Sequence, residues 1–137
     1  LRADVTLYKG GRMTLADFAR KGYDTDILVS LHIPKVTRTV AYASLRLNAT
    51  DFPIICCAIA REGNQLYCAV GARPLRADVR MYDASALDST EAIERLSHEI
   101  ADSFKYDSNM RSSGQYRHDM AVVLCRRLLQ SVKEETR

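Results

Sequence analysis

Hydrophobic residues recur at every second position through much of the first two-thirds of the chain. Side chains two residues apart lie on one face of a strand, so each such stretch predicts a β-strand. The alternating positions are Val5 and Leu7; Ile27, Val29, Leu31 and Ile33; Ala41, Ala43, Leu45 and Leu47; Leu66, Cys68 and Val70; and Leu75, Ala77, Val79 and Met81. Residues 54–60 are apolar at every position, which predicts a central strand covered on both faces.

A helical period replaces the alternation in the last third of the chain. The run Asp88-Ser89-Thr90-Glu91 forms a capping box, and Thr14 is placed to cap an earlier short helix over 15–20. Two apolar stripes at helical spacing follow. They are Ile93, Leu96, Ile100 and Phe104, and then Tyr116, Met120, Val123, Leu124, Leu128 and Val132. Strands followed by helices predict one α+β domain over residues 1–137, a mostly antiparallel sheet with helices packed on it.

Composition indicates a globular domain but does not identify a reaction or a ligand. The 137 residues are 47% hydrophobic and 27% charged, which is typical of a globular domain. No apolar run reaches the roughly 18 residues of a membrane span. A net charge of +3 with 7% aromatic residues argues against nucleic-acid binding. The chain begins at Leu1 rather than at methionine, so we expect a piece of a longer polypeptide.

Cysteine and histidine spacing gives no metal or catalytic motif. The four cysteines form no Cys-x-x-Cys pair, and no histidine lies beside them at zinc-finger spacing. Cys56 and Cys57 are adjacent in a strand, so they are expected to point to opposite faces. Reduced thiols that act as small core residues predict a cytoplasmic protein. His32, His98 and His118 are expected to face solvent, or for His32 a neighbouring domain, and we assign no catalytic residue and no metal ligand.

The segment 107–117, DSNMRSSGQYR, is the most informative loop of the sequence. Its aspartate, asparagine and serine side chains favour local hydrogen bonds to the backbone, which predicts a turn and a helix N-cap. Tyr116 and Arg117 then fall in the first turns of the last helix, where an aromatic ring packs down and a guanidinium reaches an acceptor. A structural role in holding the loop is sufficient to explain this pattern.

Four motifs, in order along nearly the whole chain, resemble one family. Residues 113–117 (SGQYR) are similar to its Ser-Ala-x-Tyr-Arg segment, with Gly114 in place of the usual small residue. Residues 25–34 (TDILVSLHIP), 50–55 (TDFPII) and 71–76 (GARPLR) are similar to its Asp-Glu-Ile-Leu…Ile-Pro, Asp-Phe-Pro-Ile and Gly-x-x-Pro-x-Arg segments. The sequence therefore resembles the C-terminal domain of the FAD-binding subunit of molybdenum hydroxylases, the xanthine dehydrogenase and carbon monoxide dehydrogenase family.

The resemblance implies a fold and a place in an electron-transfer enzyme. The fold would be that of the carbon monoxide dehydrogenase flavoprotein C-terminal domain, and FAD would be shared with an N-terminal FAD-binding half. Glycine-rich dinucleotide loops belong to that half and do not occur in this sequence. The other partners would be an iron–sulfur subunit and a molybdopterin subunit. Electrons from their molybdenum and iron–sulfur centres would pass through FAD to NAD or another acceptor, and the isolated domain would be inactive.

Two positions follow from aligning the strands with the family. Leu28 corresponds to a strand residue that touches the flavin in the family. The alternative interpretation is that Leu28 is an ordinary sheet residue with no flavin contact. Ala43 occupies the position where the family often has a lysine near the flavin. This departure leaves undecided both the flavin contact at that position and the identity of the electron acceptor. A function of a different class also fits the pattern, namely an α+β protein-interaction module with no cofactor role.

Overall fold

A computed structural model describes residues 2–135; Leu1, Thr136 and Arg137 lie outside the described residues. The chain divides into two compact units, Leu1–Thr37 and Arg38–Arg137. Within the described residues each unit has one antiparallel sheet; α-helices follow the strands of the second unit, whereas the helix of the first unit lies between its second and third strands. The predicted α+β class is confirmed, with two sheets in place of the expected one. That residues 1–137 form the C-terminal domain of a longer subunit stays a prediction.

The first unit contains three strands and a short helix: β1 (Asp4–Leu7), β2 (Gly11–Thr14), α1 (Leu15–Arg20) and β3 (Leu28–His32). Strand β1 lies in the middle of the sheet, between β2 and β3. Val5 and Leu7 are buried, as their alternation predicts. Thr14 caps α1 as expected, because its hydroxyl accepts a hydrogen bond from the Asp17 amide at 3.0 Å.

The second unit contains four strands in chain order: β4 (Thr39–Leu45), β5 (Ile55–Glu62), β6 (Gln65–Gly71) and β7 (Asp78–Asp83). A 3-10 helix, Ala84–Leu87, leads to α2 (Thr90–Asp102) and α3 (Gly114–Glu134). Ser89 caps α2 and Ser113 caps α3, each through its hydroxyl. Both caps lie within the segments that predict them, the capping box and the loop before α3.

The core of the second unit lies between one face of this sheet and the two long helices. Strand β5 corrects the prediction of a strand covered on both faces. Ile55, Cys57 and Ile59 are buried, whereas the alternate residues on the opposite face are only half-buried. The strand is apolar on both faces, but the described residues cover it fully on one.

The two helical stripes have different outcomes. Ile93, Leu96, Ile100 and Phe104 are buried, as predicted. On α3, Leu128 and Val132 are buried as predicted, whereas at the start of the helix Arg117, rather than Tyr116, points inward. The buried positions of α3 are Arg117, Ala121, Val122, Cys125, Leu128, Leu129 and Val132.

Candidate functional site

The turn between β1 and β2 is held by one carboxylate from the segment before β3. Asp26 accepts hydrogen bonds from the amides of Lys9 (2.9 Å) and Gly10 (2.7 Å), and from the Ile27 amide (2.8 Å). These backbone hydrogen bonds, that of Lys9 foremost, hold the pKa of Asp26 below its usual range. Asp26 thus fixes where β3 begins. Sequence reasoning gave it no role, and the available signal was an acid placed just before an apolar strand.

Leu28, the predicted flavin contact, is the first residue of β3 and pairs with Leu7 of β1 across a bulge. Its side chain is 49% exposed. Four further apolar residues around it are exposed to a similar degree, and together they form what we term the β3 surface. Its members are Ile27, Leu28, Val29, Leu31 and Ile33. This surface offers apolar contact to a ring system or to another protein surface.

Ala43, the position matched to the family lysine, packs partly buried against the core of the second unit. Its neighbours Tyr42 and Ser44 therefore point to the opposite face of the sheet. The Tyr42 side chain is 58% exposed there. A residue at position 43 faces the helices, so the loss of a lysine there removes no charge from the open face of this sheet.

Arg117, in the first turn of α3, has its side chain against the loop that precedes the helix and is 1% exposed. Its Nε donates to the Ile54 carbonyl at 2.9 Å, and its Nη1 donates to the Asp107 and Ser112 carbonyls at 2.7 and 2.8 Å. Its Nη2 donates to Asn109 Oδ1 at 2.7 Å. Burial, and then the nearby Arg111 charge, lower the pKa of Arg117. One side chain thus ties the loop to the start of β5.

The start of α3 needs a glycine at its first position. The Gly114 amide donates to Ser108 Oγ at 2.8 Å, and a Cβ on Gly114 would lie 2.6 Å from the Tyr106 carbonyl oxygen. Gly114 in place of the usual small residue thus has a local cause. Asp107 contributes through its backbone, with its amide donating to the Arg73 carbonyl and its carbonyl accepting from Arg117. The predicted turn and cap are present, and the serines supply the side chains.

The loop also supports an exposed aromatic side chain at position 52. The guanidinium of Arg111 lies 5.5 Å from the centre of the Phe52 ring, and its Nη1 donates to the Phe52 carbonyl at 3.2 Å. Phe52 remains 78% exposed, and Met110 at the loop tip is also exposed. Sequence reasoning assigned no site role to Phe52, although it belongs to the matched Asp-Phe-Pro-Ile segment.

Two of the three histidines lie within hydrogen-bond distance of a polar side chain of another residue. His32 is exposed, as predicted, and its Nε2 lies 3.1 Å from Ser30 Oγ. His118 was expected to face solvent, but its Nε2 lies 2.7 Å from Asp102 Oδ1 and its ring packs edge-on against Tyr106. Within residues 2–135, no group of three or more His, Cys, Asp or Glu side chains is arranged to hold a metal ion. No described helix is long and apolar enough to cross a membrane.

Comparison with known proteins gives matches in structure only. No protein-family model matches the sequence, and no curated protein matches it. Quinoline 2-oxidoreductase from Pseudomonas putida 86 superposes with a TM-score of 0.77 at 15% identity, over 98% of this chain and 53% of that chain. Carbon monoxide dehydrogenase from Hydrogenophaga pseudoflava, in a form lacking the Mo-pyranopterin moiety of the molybdenum cofactor, gives 0.73 at 19%, over 97% and 53%. The Cu,Mo-CO dehydrogenase gives 0.71 at 20%, over 98% and 54%.

The chain shares the fold of these oxidoreductases. The resemblance read from the four sequence motifs is therefore confirmed at the level of the fold. The chain spans about half the length of each of these structures.

Proposed function

We propose that this chain is part of the FAD-binding subunit of a molybdopterin-dependent hydroxylase or dehydrogenase. The supporting observation is that 97–98% of the chain superposes on carbon monoxide dehydrogenase and quinoline 2-oxidoreductase chains at TM-scores above 0.7. Four sequence motifs point independently to the same family. The whole enzyme would be a cytoplasmic oxidoreductase in which FAD passes electrons from molybdenum and iron–sulfur centres to NAD or another acceptor.

The residues of this chain fit a partial flavin contact rather than a complete FAD site. Leu28 is an exposed apolar side chain on a strand whose start is fixed by Asp26, so it can lie against an aromatic ring without rearrangement. Dinucleotide sites bind the anionic pyrophosphate with a glycine-rich loop at a helix N-terminus. The sequence has no such loop for the FAD pyrophosphate. An N-terminal half would supply that loop, and the metal centres would belong to an iron–sulfur partner and a molybdopterin partner.

Analysis of the native protein tests this proposal directly. We expect the full-length subunit, purified from its source, to carry about one FAD and to copurify with iron, molybdenum and larger partner chains. The coding sequence upstream of Leu1 should contain glycine-rich dinucleotide loops. A full-length protein without flavin or such loops would contradict the proposal and favour the interaction module with no cofactor role.

Leu28 is tested by comparing two positions of β3 in the full-length subunit. Leu28 pairs with Leu7 and His32 pairs with Asp4, so the two side chains lie on opposite faces of the sheet, and both are exposed. We expect Leu28→Ala to weaken FAD binding about tenfold and His32→Ala to leave it unchanged. Equal dissociation constants for both variants and the parent would remove Leu28 from the flavin site.

Titration of FAD with the 137-residue chain alone is a further test. Because the pyrophosphate and adenine contacts would lie in the N-terminal half, we expect no saturable binding at low micromolar concentration. Flavin fluorescence reports the result. Tight stoichiometric binding would show that this chain holds a complete site and would contradict the division of FAD between two halves.

A further inference from the structure

Four cationic residues from three segments of the second unit come together around one aromatic ring. We term them the basic cluster; they are Arg73, Arg76, Arg80 and Lys105. The Arg73 guanidinium donates to the Lys105 carbonyl at 2.8 Å and to the Arg76 carbonyl at 2.7 Å. The guanidinium carbons of Arg73 and Arg80 lie 5.1 and 4.9 Å from the centre of the Phe104 ring. The loop after β6, strand β7 and the segment after α2 therefore bring positive charge to one region.

Arg73 is a buried cation whose charge is only weakly compensated. The residue is 6% exposed, and both acceptors of its hydrogen bonds are neutral backbone carbonyls. Within residues 2–135 its Nε has no hydrogen-bond acceptor and its guanidinium forms no ion pair. Buried charges are normally paired, because their removal from water is costly. The charge of Arg73 therefore favours an anion nearby.

Asp78, at the start of β7, is already held by another arginine. Its Oδ2 accepts a hydrogen bond from Arg80 Nη1 at 2.6 Å. Burial alone would raise the pKa of Asp78, but the hydrogen bond from Arg80 and the charges of Arg80 and Arg73 lower it below its usual range. One carboxylate thus meets the charges of two arginines, and positive charge remains in excess.

Two further acids near the basic cluster do not remove this excess. Asp102, the last residue of α2, lies 2.7 Å from the His118 ring and serves as a partner for that side chain. Asp107 contacts Arg73 through its backbone, with its amide donating to the Arg73 carbonyl at 3.0 Å. Four cations against Asp78 and Asp107 leave an excess of two positive charges in this region, whereas all 137 residues together carry +3.

We propose that the basic cluster binds a phosphate group, either as the free anion or as part of a small molecule. Arg76 and Lys105 are exposed and the Arg80 side chain is 41% exposed, so these three residues are accessible to a ligand from solvent. Arginine binds phosphate oxygens through two parallel N–H groups. Arg73 adds a charge that its two carbonyl contacts fix in place.

The charge and shape of the cluster fit a phosphate group better than an acidic peptide or a nucleoside. A phosphate monoester carries about 1.5 to 2 negative charges on one group at neutral pH, close to the excess of two, whereas a peptide spreads that charge over separate carboxylates. Phe104 is 6% exposed, so it offers no surface on which a base could stack. The basic cluster lies in the second unit and Leu28 in the first, so this inference does not depend on the proposed function.

Titration of the 137-residue chain with inorganic phosphate, pyrophosphate and ADP tests the inference. Amide resonances are recorded by NMR at constant ionic strength, with sodium chloride as the blank. We expect saturable shifts of residues 73–80 and 104–106, with a dissociation constant for pyrophosphate below about 1 mM.

The same titrations distinguish the two sources of phosphate, and either result supports the inference. Similar dissociation constants for pyrophosphate and ADP would indicate the free anion. Binding of ADP at least about tenfold tighter than that of pyrophosphate would indicate a phosphorylated small molecule.

Matched variants locate the site. Lys105→Gln and Arg76→Gln each remove an exposed charge of the basic cluster, whereas Arg127→Gln removes an exposed charge from α3. We expect each of the first two to weaken pyrophosphate binding by about 5–10-fold, and Arg127→Gln to change it by less than about twofold. Circular dichroism verifies that each variant is folded.

Three results would overturn the inference. Shifts that grow linearly with anion concentration across the whole surface would show non-specific screening alone. Equal losses of binding in Lys105→Gln, Arg76→Gln and Arg127→Gln would show that net charge, rather than the basic cluster, attracts the anion. Saturable binding of hexaglutamate, without saturable binding of phosphate or pyrophosphate, would assign the cluster to an acidic protein partner.

Discussion

Removal of the Arg117 side chain should be among the most destabilising single changes in the second unit. The guanidinium is buried and donates to four acceptors, three of them backbone carbonyls. Arg117→Ala would leave these acceptors without their donors and would open a cavity beneath the loop. The acceptors come from the start of β5 and from the loop before α3, so the change would release one segment from the other.

The structure sets the size of the effect. The Ile54 carbonyl is in a buried residue, and an unsatisfied buried acceptor costs about 1–3 kcal/mol. The other three bonds are partly buried, so water replaces part of each, and their net loss is about 0.5–1 kcal/mol apiece. We therefore expect Arg117→Ala to lower the free energy of unfolding by about 3–5 kcal/mol.

Urea denaturation followed by circular dichroism measures this difference, with an exposed arginine of the same helix as control. Arg127→Ala should change the free energy of unfolding by less than about 0.5 kcal/mol. Arg117→Lys keeps the charge but lacks the planar fork that reaches four acceptors, so it should recover only a small part of the loss. A loss below about 1 kcal/mol for Arg117→Ala would mean that the desolvation cost of the buried guanidinium cancels its hydrogen bonds.

Three further predictions concern local features of the fold. Gly114→Ala places a Cβ 2.6 Å from the Tyr106 carbonyl oxygen and should lower the free energy of unfolding by about 1–3 kcal/mol. Gly22 has open space around it, so Gly22→Ala should not destabilise the protein, and thermal unfolding compares the two variants. The hydrogen bond with Asp102 raises the pKa of His118, so its stabilisation is full below the ordinary histidine value and is lost as the pH rises through the folded-state value. His118→Gln should therefore cost more at about pH 5.5 than at about pH 9, by at most about 1 kcal/mol, and an equal cost at both would contradict this. A thiol reagent should label half-buried Cys56 first and the three core thiols only on unfolding. A hydrogen bond with Cys125 and burial raise the pKa of Cys57, so its thiol stays protonated in the folded state. Mass spectrometry measures the order of labelling, and early labelling of a core thiol would contradict this prediction.

Features fixed by neighbouring residues could be predicted from the sequence, and those fixed by distant contacts could not. The capping box at 88–91 and the cap within the loop before α3 were predicted because a cap depends on amides within three residues, and the structure assigns the two caps to Ser89 and Ser113. At the start of α3 the inward position was predicted at Tyr116 instead of Arg117, because a buried arginine contradicts hydrophobic patterning. Its contact with Ile54 spans 63 residues, which no local rule reveals.

The site was predicted less completely than the fold for a related reason. Periodicity places Leu28 on a strand, but it also implies that the apolar side chains of that strand are covered. Within the described residues Leu28 and Leu31 are instead about half exposed. The same pattern therefore predicts the strand but not the exposure of its side chains.

The motifs that carry the family resemblance form contacts between separate segments of the chain rather than an assembled reactive centre within the described residues. Asp26 holds a turn, Ile54 receives the buried guanidinium of Arg117, and Arg73 donates to the Lys105 carbonyl at 2.8 Å. Each of these contacts connects segments that are distant in sequence, so each motif residue helps to fix how those segments pack. The chain shares its fold with oxidoreductases at only 15–20% identity. The motifs therefore predict architecture more strongly than chemistry, and the chemistry must be sought on the exposed surfaces that these contacts hold in place.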